Sequence, residues 1–298
     1  MSINFEYYKV FYHVANTLSF SSASRELFIS QSAVSQSIKT LEENLGCKLF
    51  IRHTKQVKLT QEGALLYKHI QQAYNFIKKG EGAIKGIHSL NQGEIRIGAS
   101  DTICKYHLIP HLHRFSTLYP NIKIHVTNRT SPECIELLNK GSIDFCIVNL
   151  PKKLPYDHMR IELTKKIQDV FIGGRKYIHL KGKNIDLKDL ADFPLLMLER
   201  YSTTRSFFDD FLEYNGVKVF PEIELGSVDL LIEMTKIGLG LSFVISEYVK
   251  NEIKKGEIFM IGLNEKIPPR ELGVVTHDSL PLSTAAAKFI EILGHYGL

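Results

Sequence analysis

Apolar positions at helical spacing begin almost at once. Phe5, Tyr8, Phe11, Val14, Ala15 and Leu18 fall on one face of a helix. In SFSSASRELF, Ser21 is a candidate N-cap, and Ala23 and Leu27 lie four apart on one face. A break at Ile29-Ser30 leads into SQSAVSQSIKTLEENLG, residues 30–46. At about 100° per residue, Val34, Ile38, Leu41 and Leu45 fall in one narrow sector and are predicted to face a core. After Gly46, KLFIRHTKQVKLT alternates apolar and polar residues, which predicts a small hairpin with basic residues at its tip. Further on, Leu66, Ile70, Ala73, Ile77, Gly80, Ile84 and Ile87 are spaced 4, 3, 4, 3, 4, 3. That is an a/d seam, suited to helices pairing along their length or to one helix packed on its own domain. Gly80, Gly82 and Gly86 weaken its far end, before a linker near Ser89 to Gly93.

From Glu94 the pattern changes. EIRIGA reads as a strand, followed by a helical segment to about Leu118, the strand IKIHVT, a helix around Glu133 to Asn139, and IDFCIV. The order β-α-β-α-β predicts a parallel sheet flanked by helices. It restarts at DVFIGG near Asp169 and continues through LLML, a helix over 204–214, FPEIEL, a helix over 228–237, and LSFVI. Two such halves predict two sub-domains with a ligand cleft between them, outside the carboxyl ends of strands.

Charge sharpens the division. Residues 1–90 hold 11 Lys/Arg against 6 Asp/Glu, and residues 91–298 hold 26 against 26. The excess positive charge lies entirely in the first third, which points a polyanionic partner there. No apolar run approaches the roughly 20 residues of a membrane span, and MSINFEYYKVF does not have the form of a secretory signal. A cytoplasmic protein without membrane association is expected. The four cysteines, Cys47, Cys104, Cys134 and Cys146, form no CxxC pair and read as reduced thiols.

The outward face of residues 30–46 carries Ser32, Ser35, Gln36 and Lys39, with no acid before Glu42. Such a face can approach phosphates without like-charge repulsion, and its N-terminal dipole adds attraction. Hydroxyls and amides suit phosphate oxygens and base edges. The alternative is an ordinary solvated face.

SFSSASRELFISQSAVSQSIKTLEENLGCKLFIR, in its S-F-S-x-A, S-Q-S-A-V-S, L-E-x-x-L-G and L-F-x-R elements, resembles the N-terminal signature of LysR-type transcriptional regulators. The resemblance is strong over residues 1–65 and looser over the rest. It implies an N-terminal all-α winged helix-turn-helix over residues 1–60 and a linker and dimerisation helix with hinge over 61–92. It further implies a C-terminal α/β domain of periplasmic-binding-protein type over 93–298. Its sub-domains would span about 93–162 with 268–298, and about 163–267. By position, Gln31, Ser32, Ser35, Gln36 and Lys39 would meet double-stranded DNA in the major groove, at promoter half-sites in inverted repeat. Arg52, with Lys55 near the wing tip, would hold the backbone or enter the minor groove. An ion pair within the domain for Arg52, and a solvated loop for Lys55, are the alternatives. Gln36 stands where many relatives carry arginine. The resemblance also implies a homodimer through the linker helix, a homotetramer, contact with RNA polymerase, and no cofactor.

It places a small-molecule effector in the cleft. The matching positions are Ser100, Asp101 and Thr102; Thr130 and Ser131; and Ser202, Thr203 and Thr204, each group preceding or opening a helix. Hydroxyls at converging helix starts suit a carboxylate or phosphate, and each is also an ordinary N-cap; Asp101 argues against a highly charged anion close by and could instead meet an ammonium group. Arg205 is expected to form a structural salt bridge, with holding an anion as the alternative. GLGLSFVIS, residues 238–246, precedes a strand and is not a nucleotide loop. The rivals are a solute-binding protein and a metabolite-binding α/β enzyme. G-x-S-x-G, the P-loop and H-E-x-x-H are all absent, so no catalytic residue is assigned. His107, His111 and His113 cluster without an acidic or cysteine partner and read as packing or surface histidines rather than metal ligands.

Overall fold

The computed structural model describes residues 3–53, 56–87 and 93–298. The chain divides into two compact units, Met1–Glu81 and Gly82–Leu298, each with its own core.

The first unit is built from α1 (Phe5–Thr17), α2 (Phe20–Leu27), α3 (Gln31–Leu45), the hairpin strands β1 (Phe50–His53) and β2 (Gln56–Leu59), and α4 (Gln61–Ile87), which runs on across the division. Side chains of Asn4, Ser19 and Ser30 cap the first three helices, accepting from the N–H groups of Glu6, Ser22 and Ala33. The α2 cap is therefore Ser19, not Ser21, whose hydroxyl bonds to that of Ser19. Phe11, Val14, Ala23, Val34, Ile38 and Leu41 close the core around Phe50. Phe5, Leu18 and Leu45 were predicted on buried faces and are exposed. At the end of α3, Gly46 adopts φ +70°, and the chain turns back over Leu41 and Glu42. Leu45 stays outside, 38% exposed, while Glu42 is 4% exposed.

The junction of hairpin and α4 is tightly bonded. Thr60 N–H donates to Leu49 O, Thr60 Oγ1 donates to Lys48 O at 2.7 Å, and Gly63 N–H donates to Thr60 Oγ1 at 2.9 Å. A Cβ on Gly63 would lie 2.1 Å from Leu49 O, so only glycine permits this approach. Leu66, Tyr67 and Ile70 pack on the core of this unit, and the Tyr74 ring packs at a tilt against Tyr12 with ring centroids 4.2 Å apart. The seam then leaves the core: Ala73, Ile77 and Ile84 are exposed.

The second unit contains two sheets. Its elements are β3 (Gly93–Ala99), α5 (Asp101–Ile103), a π-helical turn Cys104–Leu108, α6 (Ile109–Leu118), β4 (Ile122–Asn128), α7 (Ser131–Asn139), β5 (Phe145–Asn149), β6 (Met159–Ile167), β7 (Asp169–Gly174), β8 (Asn184–Ile185), β9 (Leu195–Leu198), α8 (Thr203–Tyr214), β10 (Ile223–Leu225), α9 (Val228–Lys236), β11 (Leu241–Ile245), α10 (Lys250–Lys254), β12 (Ile258–Leu263), β13 (Arg270–His277) and α11 (Thr284–Tyr296). The five-stranded sheet has order β4-β3-β5-β13-β6 and the six-stranded sheet β10-β9-β11-β7-β12-β8.

Neither sheet is wholly parallel. β3 runs parallel to β4 and β5, but β13 is antiparallel to both β5 and β6. In the other sheet β7 is antiparallel to β11 and β12. The exceptions involve strands beside the two crossovers, where the chain enters a sheet from its neighbour rather than through a helix. β6 pairs with β13 as far as Ile167↔Arg270 and β7 begins at Asp169, so the first crossing is at Gln168. The return lies between Leu263 and Arg270. Among the described residues no helix is long and apolar enough to cross a membrane.

Candidate functional site

The first candidate surface is α3. Its buried side is Val34, Ile38 and Leu41, each wholly buried, and Glu42. Gln31, Ser32, Gln36 and Lys39 are exposed and Ser35 is half-buried. Ser30 Oγ lies 2.8 Å from Ser32 Oγ and also accepts from Ala33 N–H. Lys39 reaches only Glu43, at 3.7 Å with both groups exposed, a pairing of little strength. Gln36 Nε2 is 3.5 Å from Thr40 Oγ1, a marginal contact that leaves the amide able to turn outward.

Glu42 has a different use. Its carboxylate accepts from the N–H groups of Leu49, at 2.9 Å, and Phe50, at 3.3 Å, and from Lys48 Nζ at 2.9 Å. Burial acts to raise its pKa, but the Leu49 N–H, the Lys48 ammonium and the Phe50 N–H outweigh it and hold the pKa below the ordinary value. This residue joins α3 to the hairpin. Arg52 occupies β1, opposite Val57; its side chain, and Lys55 altogether, lie outside the described residues.

The second candidate lies between the two sheets. Ser100, Thr102, Thr130, Ser131, Ser202, Thr203 and Thr204 all line one cavity of about 90 Å³. Each group arrives on a different helix start: Ser100 Oγ accepts from Ile103 N–H, and Ser202 Oγ accepts from Arg205 N–H. Thr130 forms a capping box with Glu133. Bonds from the Thr130 hydroxyl and N–H hold the Glu133 carboxyl below its usual pKa. Ser131 Oγ accepts from Asn149 N–H across the end of β5. Asp101 is exposed and does not line the cavity. It sits one helical position before Thr102, about 100° away around the axis.

The lining also contains Asn149, Leu198, Gly226, Val228, Phe243, Val244, Ile245 and Tyr248, none of which hydroxyl spacing pointed to. Asn149, Leu198 and Ile245 are the last residues of β5, β9 and β11. Strand ends were therefore the available signal, by the rule that open α/β sheets bind ligands at their carboxyl ends. Asn149 Oδ1 and Tyr248 OH are buried without a hydrogen-bond partner. Buried polar atoms of this kind are normally satisfied, so each awaits a partner.

Behind the cavity, Arg270 donates through Nε and Nη2 to the two oxygens of Asp169, at 2.6 and 2.7 Å. Its Nη2 also reaches Thr204 Oγ1 at 3.2 Å, and its Nη1 is buried without a partner. Both residues flank the crossovers. Arg205 is held by Asp209 and Glu224, a structural salt bridge as its sequence position suggests. Between the two halves, Lys105 pairs with Asp229 at 2.7 Å, Lys152 with Asp210 at 2.9 Å and Lys165 with Glu247 at 3.3 Å. The lysines belong to the five-stranded half and the carboxylates to the other.

The model for the LysR substrate binding domain matches residues 88–297, and that for the bacterial regulatory helix-turn-helix protein of the lysR family matches residues 5–64.

The chain belongs to the LysR family.

As a LysR-type transcriptional regulator it binds DNA through the helix-turn-helix domain, and a small-molecule effector taken by the substrate-binding domain modulates that binding. Among curated relatives, it is 26% identical over 288 residues to a probable RuBisCO transcriptional regulator of Cyanidioschyzon merolae, covering 95% of each chain. It is 26% identical over 285 residues to the HTH-type transcriptional regulator CbbR of Rhodospirillum rubrum, covering 96% of this chain and 94% of that one. Full-length OxyR from Pseudomonas aeruginosa shares the fold at TM-score 0.71 and 19% identity, over 99% of this chain and 94% of that one. CbnR in complex with its target DNA does so at TM-score 0.66 and 18% identity, over 99% and 100%.

Proposed function

We propose that this LysR-type regulator reads an inverted-repeat operator with Gln31, Ser32, Ser35, Gln36 and Lys39 in the major groove. Arg52 and Lys55 hold the flanking backbone. The observation that carries this reading is the exposed, acid-free first half of α3. The exposed run Ala73, Ile77 and Ile84 on α4 supports a homodimer through that helix, because apolar a/d positions left uncovered on one chain are covered by the same positions on a second. Two recognition helices then meet half-sites roughly 34–36 Å apart. A homotetramer that bends DNA and touches RNA polymerase follows from the same family logic. The protein acts in the cytoplasm as a regulator, not an enzyme.

The effector is a small metabolite carrying one carboxylate. Supporting this, the cavity is lined by hydroxyl donors and helix starts and, among the described residues, by no lysine or arginine. The Tyr248 hydroxyl is free to donate and Asn149 Oδ1 free to accept. A cavity of about 90 Å³ holds about three waters, so the cleft must open to admit a metabolite. The three lysine-carboxylate pairs between the halves are the contacts that give way.

Two measurements test this. In a gel shift on the DNA upstream of its own coding region, the full chain forms a specific complex at low salt that weakens steeply as salt rises; absence of any specific complex sinks the DNA reading. In a thermal-shift screen, small carboxylic acids raise the midpoint where their amides do not, and Ser202→Ala removes the effect. Stabilisation by amides and acids alike sinks the carboxylate assignment.

A further inference from the structure

The cleft is not the only recess among the described residues of this unit. A cavity of about 720 Å³ lies on the five-stranded half, walled by α6, the π-helical turn, β6 and the end of α11. The histidines that sequence spacing singled out, and that neither DNA nor effector reading uses, all line it. His107 is 4% exposed, and its Nε2 is buried with no hydrogen-bond partner. His111 is also buried, bonded to the backbone of Gly297. Two permanent cations share the wall: Arg114, stacked on the Tyr296 ring at 3.6 Å and bonded to its hydroxyl, and Lys165, about a third exposed. Burial, together with the Lys165 charge, pushes the His107 pKa down to about 4, so its ring is neutral. Burial lowers that of His111 in the same direction.

We propose that this recess is a second ligand site, for a phosphomonoester, with Arg114 and Lys165 balancing its charge and His107 supplying a ring N–H. The donor set exceeds what a carboxylate uses. An arginine fork, an ammonium and a buried imidazole N–H match the three terminal oxygens of a phosphate. The volume leaves room for an organic body beside the phosphate, against Pro110, Leu118 and the tyrosine rings. A metal is a poorer occupant, since no group of three or more His, Cys, Asp or Glu among the described residues is placed to hold one.

The site is joined to the cleft. Tyr106 stacks on Tyr248 with centroids 4.4 Å apart, and the His107 ring meets Tyr248 edge-on at 5.7 Å. Tyr248 lines the effector cavity. Lys165 spans to Glu247 of the other half. A phosphate that draws Lys165 loosens a pair across the cleft, so occupancy of one site alters affinity at the other by the same factor in both directions.

Calorimetric titration of the full chain with glycerol 3-phosphate, and separately with inorganic phosphate, tests this. Glycerol 3-phosphate binds, and it binds more tightly than inorganic phosphate. Arg114→Gln, at an exposed position, weakens it by about tenfold or more. His107→Phe, which keeps the ring but not the N–H, weakens it too, while Ser202→Ala in the cleft leaves it unchanged. No binding of either probe to the wild-type chain overturns the proposal, as does full binding by Arg114→Gln. Loss in Ser202→Ala equal to that in Arg114→Gln overturns it as well, by placing the anion in the cleft. The cleft assignment is tested separately, by the response of Ser202→Ala to carboxylic acids, so either can fail alone.

Discussion

The recognition helix and the effector cleft are made from the same side chains. Both put hydroxyls at helix starts, although in the cleft two of those starts also carry an acid, Asp101 and Glu133. On α3 the group is convex: Gln31, Ser32, Gln36 and Lys39 stand exposed, Ser32 bonded to the Ser30 hydroxyl and Gln36 and Lys39 only weakly paired. In the cleft three helix starts converge, and their hydroxyls are tied to backbone before any ligand arrives. A lone convex helix start suits an extended polyanion with many phosphates. Converging starts suit one small anion held from several sides. The chemistry of the residues is shared, and the curvature of the surface selects the ligand.

The largest expected effect lies on the cleft side. Asp169→Ala leaves Arg270 buried without its carboxylate, and breaking such a pair costs about 3–5 kcal/mol. Urea unfolding of the variant measures it, and a loss near zero denies the pair any role in holding the crossovers. Next comes Glu42→Ala, which strands the N–H groups of Leu49 and Phe50 at about 1–3 kcal/mol for each group left unsatisfied. Because the folded pKa of Glu42 lies below its ordinary value, its contribution is present above that value and is lost as pH falls through the folded pKa. Glu42→Gln therefore flattens the acid limb of the stability profile, and an unchanged limb refutes the assignment. Smaller again is Gln31→Ala, which shifts base preference in a selection from random operators by about 1–3 kcal/mol at one position, whereas Lys55→Ala weakens all sequences alike. Uniform loss in both removes Gln31 from base reading. Least of all is Lys39→Gln, which lowers the salt slope of binding by roughly one.

Much of this was legible in the chain. Val34, Ile38 and Leu41 follow helical spacing because one domain buries them, and the hydroxyl clusters precede helices whose starts meet. Leu45 and Glu42 exchange places because the turn at Gly46 is a tertiary event that periodicity does not contain. The a/d seam looked uniform, yet Leu66 and Ile70 serve the core of their own unit while Ala73, Ile77 and Ile84 do not. Strands β6, β12 and β13 carry no local signal of their order, since their neighbours are distant in sequence. Asn149 and Tyr248 belong to the cavity lining only because strand ends from separate segments come together there.

The bonded junction at Thr60 and Gly63 bears on how a signal travels within the first unit. With the start of α4 stitched to the backbone of Lys48 and Leu49, and Glu42 stitching the same stretch to α3, the described residues offer no joint between α4 and α3. The three form a stiff lever. A change in the direction of α4 is delivered to α3 undiminished, and whatever bending the helix permits is left to its distant, glycine-bearing end.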